Sequence, residues 1–304
     1  MRPLRLATRS SSLALAQSEL AVAAIRAVAP GIEVEFVEVR TEGDADRQSP
    51  LSVIGGRGVF VRAVEQALLD DRADIAVHSL KDVPTAIPDG LRLAAFLERG
   101  DPRDALVASG RRRLRDLPPG ATVGTSSNRR ASLLRALRAD LQVREIRGNV
   151  DTRLRRVAEG AYDGVLLAAA GLARLDRLDE ATQLFEAMEF LPAPGQGTIV
   201  IECRDGDTDT RSVLERVDHG GTHAASVAER SFLAALGSGC TLPVGAYGQV
   251  DGDLLTLRAM VADEARGIPL FGDATGPLAQ AAVLGQGLGA RLLGAAAPSS
   301  LRNE

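Results

Sequence analysis

The sequence lacks tryptophan altogether, and aromatic residues of all kinds account for 3% of its 304 positions. Hydrophobic residues still make up 45% of the chain, so the interior must be packed mainly with Ala, Leu and Val side chains. A chain of this length is long for one hydrophobic core, and two or three domains are expected. Only two cysteines are present, Cys203 and Cys240, which excludes the disulfide framework typical of small secreted domains.

A strong charge of either sign is also missing. The formal net charge is −4, and 25% of the residues are charged, which gives no electrostatic footprint for nucleic acid or for an anionic membrane. The apolar stretch at residues 13–16 is too short for the core of a signal peptide, and no segment approaches a transmembrane span. We therefore expect a soluble cytoplasmic protein that binds neither nucleic acid nor membrane.

Lysine is almost absent, since Lys81 stands alone against 35 arginines. The bias itself is explained by base composition of the coding DNA, and chance is the simplest explanation of the exception. Lysine, however, is a compact ammonium that can move or lose its proton, whereas arginine keeps a rigid planar charge. Lys81-Asp82 follows a short apolar segment, residues 73–77, and precedes a loop with two prolines. Because ligands bind at such strand ends in open α/β sheets, the sequence predicts a site here.

Hydrophobic periodicity divides the chain into two α/β units and a different C-terminal part. Strand and helix patterns alternate from residue 4 to 79 and again from 104 to 168, which predicts parallel or mixed sheets covered by helices. Each unit has a strand followed by a Thr- and Ser-rich turn into a helix. Beyond residue 220, two helical patterns flank three alternating segments, with Asp251-Gly252 at one reversal, which is typical of a hairpin. We expect a small α+β domain with a three-stranded antiparallel sheet there.

Two strand-to-helix junctions carry arginines beside a helix N-terminus: Thr125-Ser126-Ser127-Asn128-Arg129-Arg130 and Arg147-Gly148-Asn149-Val150-Asp151-Thr152-Arg153. A helix N-terminus has unpaired N–H groups and partial positive charge, so basic side chains in its first turn cost stability unless an anion is present. An ordinary serine cap with solvated arginines is the alternative. Taken with Arg9, the two junctions predict a cleft for a ligand with several carboxylates or phosphates.

Other motifs give weaker signals. The glycine clusters at 55–58 and 195–197 lack the spacing of phosphate-binding loops. His219 and His223 have no third ligand at a recognised spacing, so a surface or capping role is favoured and no metal is expected. His78 could act as a base, although a strand histidine is more often an interior group.

The two cysteines differ in their surroundings. Cys203 ends an apolar run and fits as a small core residue. Cys240 lies in a Gly-rich loop, where an exposed thiol is either a chemical handle or an accident. The residues alone do not decide between these two.

Seven strings follow one another over nearly the whole chain: ATRSSSLALAQ, GGRGVFVRAVE, DIAVHSLKDVP, GTSSNRR, IRGNVDTRL, LPAPGQG with IECR, and GSGCTLPVGAY. In this order they resemble the porphobilinogen deaminase family, also called hydroxymethylbilane synthase. The resemblance implies a transferase that deaminates four porphobilinogen molecules and joins them into a linear tetrapyrrole for haem and related pigments. It implies two periplasmic-binding-protein-like lobes with the growing chain between them, spanning residues 1–98 plus 198–217 and residues 103–192, and a C-terminal domain at 220–304.

The resemblance also implies roles for individual residues. Asp82 would be the central catalytic group, stabilising the cationic azafulvene formed when ammonia leaves, with Lys81 beside it. A dipyrromethane cofactor would be attached by a thioether to Cys240, and its further ligands would be Ser79, Lys81, Asp82, Thr125, Ser126, Ser127, Arg129, Arg130, Arg147, Gly148 and Arg153. The substrate set would be Arg9, Ser11, Phe60, Arg147, Arg153, Arg174 and Gln196. Phe60 would be a lid or stacking residue, with core packing as the alternative, and Gln196 would lie near a lobe crossover.

Four departures from the family pattern leave every named chemical group in place. Ser12 replaces proline, Gln48 an acid, Asn128 an apolar residue and Gly237-Ser238 the usual Glu-Gly. We expect them to affect loop dynamics and the packing of the cofactor loop. A monomer that passes its product to the next enzyme of the pathway is expected.

Two other functions remain open. A two-lobed anion-binding protein without chemistry would use the same lobes and arginines, but it would have no need of Cys240. Lys81 could alternatively be a Schiff-base nucleophile, which borohydride trapping would reveal.

Overall fold

The computed structural model describes residues 3–39, 59–237, 243–262 and 269–296. They fall into two compact units, residues 1–100 with 197–223 (unit 1) and residues 101–196 with 224–304 (unit 2). The chain therefore passes between the units at 100–101 and 196–197, and again inside a helix at 223–224. The predicted three-way division, with its boundaries near 98, 103, 192, 198, 217 and 220, stays a prediction.

Unit 1 is built on a five-stranded mixed sheet with the order β2-β1-β3-β10-β4. The strands β2, β1 and β3 run parallel, and β10 runs antiparallel to both β3 and β4. Short runs of buried apolar residues form the inner strands, as expected for a sheet covered on both faces. The strands are Leu4–Thr8 (β1), Val34–Glu38 (β2), Ile75–Ser79 (β3), Leu91–Phe96 (β4) and Ile199–Arg204 (β10).

Unit 2 repeats this topology with strands from a different part of the chain. Its order is β7-β6-β8-β5-β9, again with three parallel strands followed by two antiparallel pairings. The strands β1 and β6 occupy equivalent positions in the two sheets. This explains why each is followed by a similar Thr- and Ser-rich turn into a helix, as the sequence predicted. The strands are Asp104–Ala108 (β5), Thr122–Gly124 (β6), Gln142–Arg144 (β7), Gly164–Ala168 (β8) and Gln183–Leu184 (β9).

Helices cover the two mixed sheets and the C-terminal sheet. They are Ser12–Val28 (α1), Val59–Leu69 (α2), Asn128–Leu137 (α3), Val150–Ala158 (α4), Ala169–Ala173 (α5), Thr208–Leu214 (α6), Gly220–Ala235 (α7) and Ala281–Ala296 (α8). In the part of the chain that is described, no helix combines the length and hydropathy needed to cross a bilayer.

The C-terminal part of unit 2 is a three-stranded antiparallel sheet packed against helices. Its strands, Val244–Asp251 (β11), Leu254–Ala262 (β12) and Pro269–Pro277 (β13), pair in chain order. The first reversal is the predicted hairpin, where Gly252 adopts φ 56°. The helices α7 and α8 approach so closely that a Cβ at Gly285 would lie 2.2 Å from the carbonyl oxygen of Ala228. The predicted fold class, α/β with two mixed sheets and a small antiparallel sheet, is confirmed.

One core joins the two sheets of unit 2. Phe190 and Leu191 lie in the same buried cluster as Met260 and Ala262 of β12. The antiparallel sheet is thus packed on the second mixed sheet within one compact unit. The last helix begins at Ala281, after the single 3₁₀ turn Leu278–Gln280.

Candidate functional site

The carboxyl ends of the parallel strands in unit 1 bring five predicted site residues to one edge of the sheet. Arg9 and Ser11 directly follow β1, and Ser79, Lys81 and Asp82 lie at or just after the end of the adjacent strand β3. Parallel neighbours end at the same edge, which is where open α/β sheets bind ligands. The strand-end site predicted from the lone lysine therefore gains Arg9 and Ser11 from the neighbouring strand.

The residues after β3 form a single 3₁₀ turn, Leu80–Asp82. Because the sequence analysis predicts Asp82 as the catalytic group, we call it the catalytic turn. The N–H of Leu80 donates to the carbonyl of Thr198 at 3.0 Å, and that of Val83 donates back to Leu80 at 3.1 Å. Leu80 and Val83 are buried, whereas Asp82 is exposed. Two apolar anchors and two backbone hydrogen bonds thus hold the turn while its carboxylate faces outward.

Gln17 is a polar side chain at this edge that the sequence reasoning missed. It lies on α1 and is buried, and its amide donates to the Ser79 hydroxyl at 2.7 Å. An amide on the buried side of an otherwise Ala- and Leu-rich helix was the available signal, because buried polar groups are usually hydrogen-bonded. Gln17 therefore fixes the rotamer of one predicted ligand.

In unit 2, hydroxyl side chains organise the end of β6. Ser127 is the N-cap of α3 and accepts from the N–H of Arg130, and Thr125 accepts from the N–H of Ser127 at 3.1 Å. Ser126 is exposed and donates to the carbonyl of Ile146, beyond the adjacent strand β7. These hydroxyls hold the turn in shape and tie it to the next strand end.

Arg129 and Arg130 are buried, so they are not the solvated arginines of the alternative interpretation. The Asp104 carboxylate accepts from Arg129 Nη1 and Arg130 Nη2, each at 2.6 Å, and is itself completely buried. Burial alone would raise the pKa of Asp104, but the two guanidinium groups outweigh it and hold the pKa well below its ordinary value. The anion that the helix start requires is thus present within the chain.

The missed residue in this network is Asp104, at the start of β5. An aspartate opening a buried strand was the only signal in the sequence. The predicted crossover residue Gln196 joins the same network, since its amide donates to Pro102 at 2.8 Å and to Asp104 at 3.0 Å. Gln196 is buried, at the last position of unit 2 before the chain returns to unit 1.

The second predicted junction follows β7. Asn149 caps α4, because its side chain accepts from the N–H of Thr152 at 2.9 Å. Arg153 Nε donates to the carbonyl of Gly148 at 2.9 Å. Gly148 adopts φ +109°, and a Cβ there would lie 2.7 Å from Thr152 Cγ2, so only glycine fits. Arg147 is half-buried, with Glu145 at 3.9 Å.

Arg174 ends the third parallel strand-helix connection of unit 2, at the C-cap of α5 after β8. Burial lowers the pKa of its guanidinium to about 10. An anion bound beside this side chain would offset the cost of burying its charge. The strands β6 and β7 therefore end in residues suited to carboxylates, and β8 is followed by a basic residue at the far end of a short helix.

Some predicted residues cannot be placed. Cys240, with Ser238, and Gln48 lie outside the described residues, and Phe60 is described only as part of α2.

His219 has a capping role, because its Nδ1 accepts from the N–H of Thr222 at 3.1 Å. Cys203 is completely buried, and burial raises the pKa of its thiol to about 11, as befits a core residue.

The two α/β units share one strand order, and each carries basic and hydroxyl side chains near the ends of its parallel strands, as expected of a class of proteins that bind anionic ligands. Two family models match the sequence: porphobilinogen deaminase, dipyromethane cofactor binding domain, over residues 4–212, and porphobilinogen deaminase, C-terminal domain, over residues 224–294. The chain belongs to the porphobilinogen deaminase family. It is accordingly an enzyme of tetrapyrrole biosynthesis with a dipyrromethane cofactor, as the resemblance predicted.

Solved structures give more distant matches. A YaeC family lipoprotein from Enterococcus faecalis is 16% identical, with a TM-score of 0.42, over 71% of this chain and 91% of that one. YhfZ from Shigella flexneri is 18% identical, with a TM-score of 0.39, over 77% of this chain and 91% of that one. Likeness at this level carries no inference about ligand or activity.

The residues of unit 2 fit a cofactor that bears several carboxylates. Guanidinium groups occur after β7 and β8, exposed or half-buried hydroxyls after β6, and a glycine after β7 leaves space that a Cβ would fill. Guanidinium forks and hydroxyl donors suit carboxylate oxygens. The donor chemistry of this edge therefore agrees with the family's cofactor.

Proposed function

We propose that this protein deaminates four porphobilinogen molecules and joins them head to tail into linear hydroxymethylbilane, releasing one ammonia for each and consuming one water, which supplies the terminal hydroxyl group. When bound, the dipyrromethane supplies the pyrrole from which the chain is extended. Family membership supports the substrate class. The single observation that carries the residue assignment is the position of Asp82, exposed on an anchored turn at the carboxyl end of a central strand.

Asp82 is proposed as the catalytic carboxylate. Loss of ammonia from the aminomethyl group of porphobilinogen leaves a cation delocalised over the pyrrole. A fixed carboxylate stabilises this cation and accepts hydrogen bonds from pyrrole N–H groups without reorganising during the reaction. The buried neighbours Leu80 and Val83 supply that fixation, so the carboxylate is positioned before substrate arrives.

The basic and hydroxyl side chains are proposed to bind the acetate and propionate groups of substrate and cofactor. In unit 1 these are Arg9, Ser11, Ser79 and Lys81, and in unit 2 they are Thr125, Ser126, Ser127, Arg147, Arg153 and Arg174, with the backbone of Gly148. Direct cofactor contacts of Arg129 and Arg130 stay predictions; their ion pairs with Asp104 support a role in holding the start of α3. The roles of Phe60 and Gln196 at the substrate stay predictions as well.

Cys240 is proposed to carry the cofactor through a thioether, and the enzyme to act as a cytoplasmic monomer that hands its product to the next enzyme. The thiolate is the nucleophilic form of cysteine, and the Gly-rich sequence around Cys240 suits an accessible sulfur. Sedimentation of the purified protein tests the oligomeric state, and a stable dimer would contradict this part of the proposal.

Replacing Asp82 with Asn tests the catalytic assignment. Asn has nearly the same shape but no charge, so we expect the fold to persist while porphobilinogen turnover falls roughly 100-fold or more, as for other preorganised electrostatic groups. Asp89→Asn is the matched control, because Asp89 is an exposed aspartate in the loop after the same turn. Turnover of Asp82→Asn within a few-fold of the parent would rule out this role.

A further inference from the structure

Three titratable side chains are buried together beneath the catalytic turn and have no part in the proposed reaction. His78 on β3 and Glu202 on the adjacent antiparallel strand β10 lie side by side, with His78 Nε2 2.9 Å from Glu202 Oε2. Their side chains are 5% and 0% exposed. Glu65, on α2, is buried as well. We call these three residues the carboxyl-imidazole cluster.

Glu65 packs over the face of the sheet that carries the other two. Side chains alternate along β3, and Ala76, two residues before His78, lies in one buried cluster with Val64 and Ala67 of α2. Burial raises the pKa of the Glu65 carboxyl, the negative charge of Glu202 raises it further, and His78 and Arg62 oppose the increase. Glu65 therefore belongs to the helix that packs on the strand face carrying His78.

Among the residues that the structure describes, the other charged groups on this side of the sheet are engaged elsewhere or exposed. Arg5 on β1 and Arg204 on β10 bind Asp74 at 2.8 and 3.0 Å. Arg62 on α2 is exposed. The strand β4 contributes Leu91 and Leu93 to buried apolar clusters here.

The two carboxyl groups lack the partners that a pair of buried charges needs. Among the described residues, Oε1 of Glu65 and Oε1 of Glu202 are both buried without a hydrogen-bond partner. Two ionised carboxylates so placed would repel each other and forgo hydration, and proteins usually resolve this by keeping a proton on one of them. The remaining carboxylate can then pair with the imidazole.

We propose that Glu65, His78 and Glu202 form a proton-holding cluster that positions the catalytic turn, with Glu65 protonated and Glu202 paired with His78 at neutral pH. The part that concerns catalysis rests on the function proposed above. These are positioning residues, since they act through the turn. Asp82 remains the group that faces the substrate.

The cluster is joined to the turn by adjacent packing. Leu80 and Val83, which anchor the turn, share a buried cluster with Val200, and Val200 is opposite His78 in the strand register. A second negative charge at Glu65 or Glu202 would draw water to this point. The anchors of the turn would then loosen, and Asp82 would lose its fixed position.

Infrared spectroscopy of the intact protein, compared with Glu65→Gln, tests the cluster. We expect the parent at neutral pH to show the carbonyl band of a protonated carboxyl group, which disappears as the pH rises and is missing in Glu65→Gln. Glu19→Gln is the matched control, because Glu19 is an exposed glutamate on a helix of the same unit; it should keep the band. A parent without this band at neutral pH would overturn the proposal even if Glu65→Gln failed to fold.

Turnover against pH tests the link to the catalytic turn. Ionisation of Glu65 should reduce parent turnover about tenfold per pH unit above its midpoint if only the protonated form is active. Glu65→Gln, which cannot ionise, should lose this decline and keep near-parental turnover at neutral pH. An unchanged pH profile in Glu65→Gln would show that the cluster does not act on the turn.

These outcomes can be separated from failure of the proposed function. The infrared band is measured without substrate, and Asp82→Asn should keep it while losing turnover. A parent that shows the band but leaves porphobilinogen unconsumed would contradict the proposed function and leave the proton-holding part of the cluster standing.

Discussion

Removing the charge of Asp104 should destabilise unit 2 far more than removing an exposed charge nearby. In Asp104→Asn one carboxylate oxygen becomes an NH₂ group that faces the donors of a buried guanidinium, and both Arg129 and Arg130 lose their counter-charge. Breaking a buried ion pair on one side costs about 3–5 kcal/mol. Because the Asn oxygen can still accept hydrogen bonds, we expect a loss at the lower end, about 3 kcal/mol.

Denaturant unfolding followed by tyrosine fluorescence measures this loss directly. The chain has no tryptophan, and its two tyrosines, Tyr162 and Tyr247, both lie in unit 2. Asp101→Asn is the matched control, since Asp101 pairs with Arg103 in the same segment but both side chains are partly exposed. Such pairs contribute up to about 1 kcal/mol. If the free energy of unfolding fell no further in Asp104→Asn than in this control, the assignment of Asp104 as the buried counter-ion would be wrong.

The same variant has a defined pH signature. The folded-state pKa of Asp104 is lowered, so its stabilising contribution is fully present above the unfolded-state pKa of about 3.9. The contribution is lost as the pH falls from there through the folded-state pKa. The stability difference between parent and Asp104→Asn should therefore be constant from about pH 5 upward and shrink below about pH 4. A difference that grew on acidification would contradict this.

Two further variants test local features of unit 2 by the same fluorescence assay. Gly148→Ala should lower the free energy of unfolding more than Gly160→Ala does, because both glycines have positive φ but only the first would place a Cβ 2.7 Å from Thr152. We expect a decrease of roughly 1–3 kcal/mol from strain at Gly148. Equal decreases in the two variants would contradict the steric explanation. Glu229→Gln should lose about 1–3 kcal/mol, because this buried carboxylate accepts from two backbone N–H groups, including that of Gly248 at 2.8 Å. An unchanged free energy of unfolding in Glu229→Gln would mean that one of these hydrogen bonds contributes little to stability.

Local patterns in the sequence were enough to predict the alternating elements and the strand ends that carry the candidate site. The strands β3 and β6 are each followed at once by a polar turn, so Lys81-Asp82 and Thr125-Ser126-Ser127 could be predicted as strand-end sites from neighbours along the chain. The family resemblance supplied Ser79 and the catalytic role of Asp82. Hairpin chemistry at Asp251-Gly252 is equally local.

The partners of buried charges could not be predicted because they come from distant segments. Asp104 is 25 residues from Arg129 and lies on β5, which pairs antiparallel with β8. His78 and Glu202 are 124 residues apart and meet because β10 returns to unit 1 beside β3. The topology that makes these contacts depends on which strands pair, and periodicity within a segment does not specify that.

The intact mass of the freshly purified chain, followed by peptide mapping, tests the central claim most directly. We expect a mass above the 31.9 kDa of the polypeptide by one adduct of two pyrrole units, located on the peptide that contains Cys240 and missing in Cys240→Ser. A chain that weighs only what its amino acids weigh, and that leaves porphobilinogen unconsumed after attempted reconstitution, would contradict the claim.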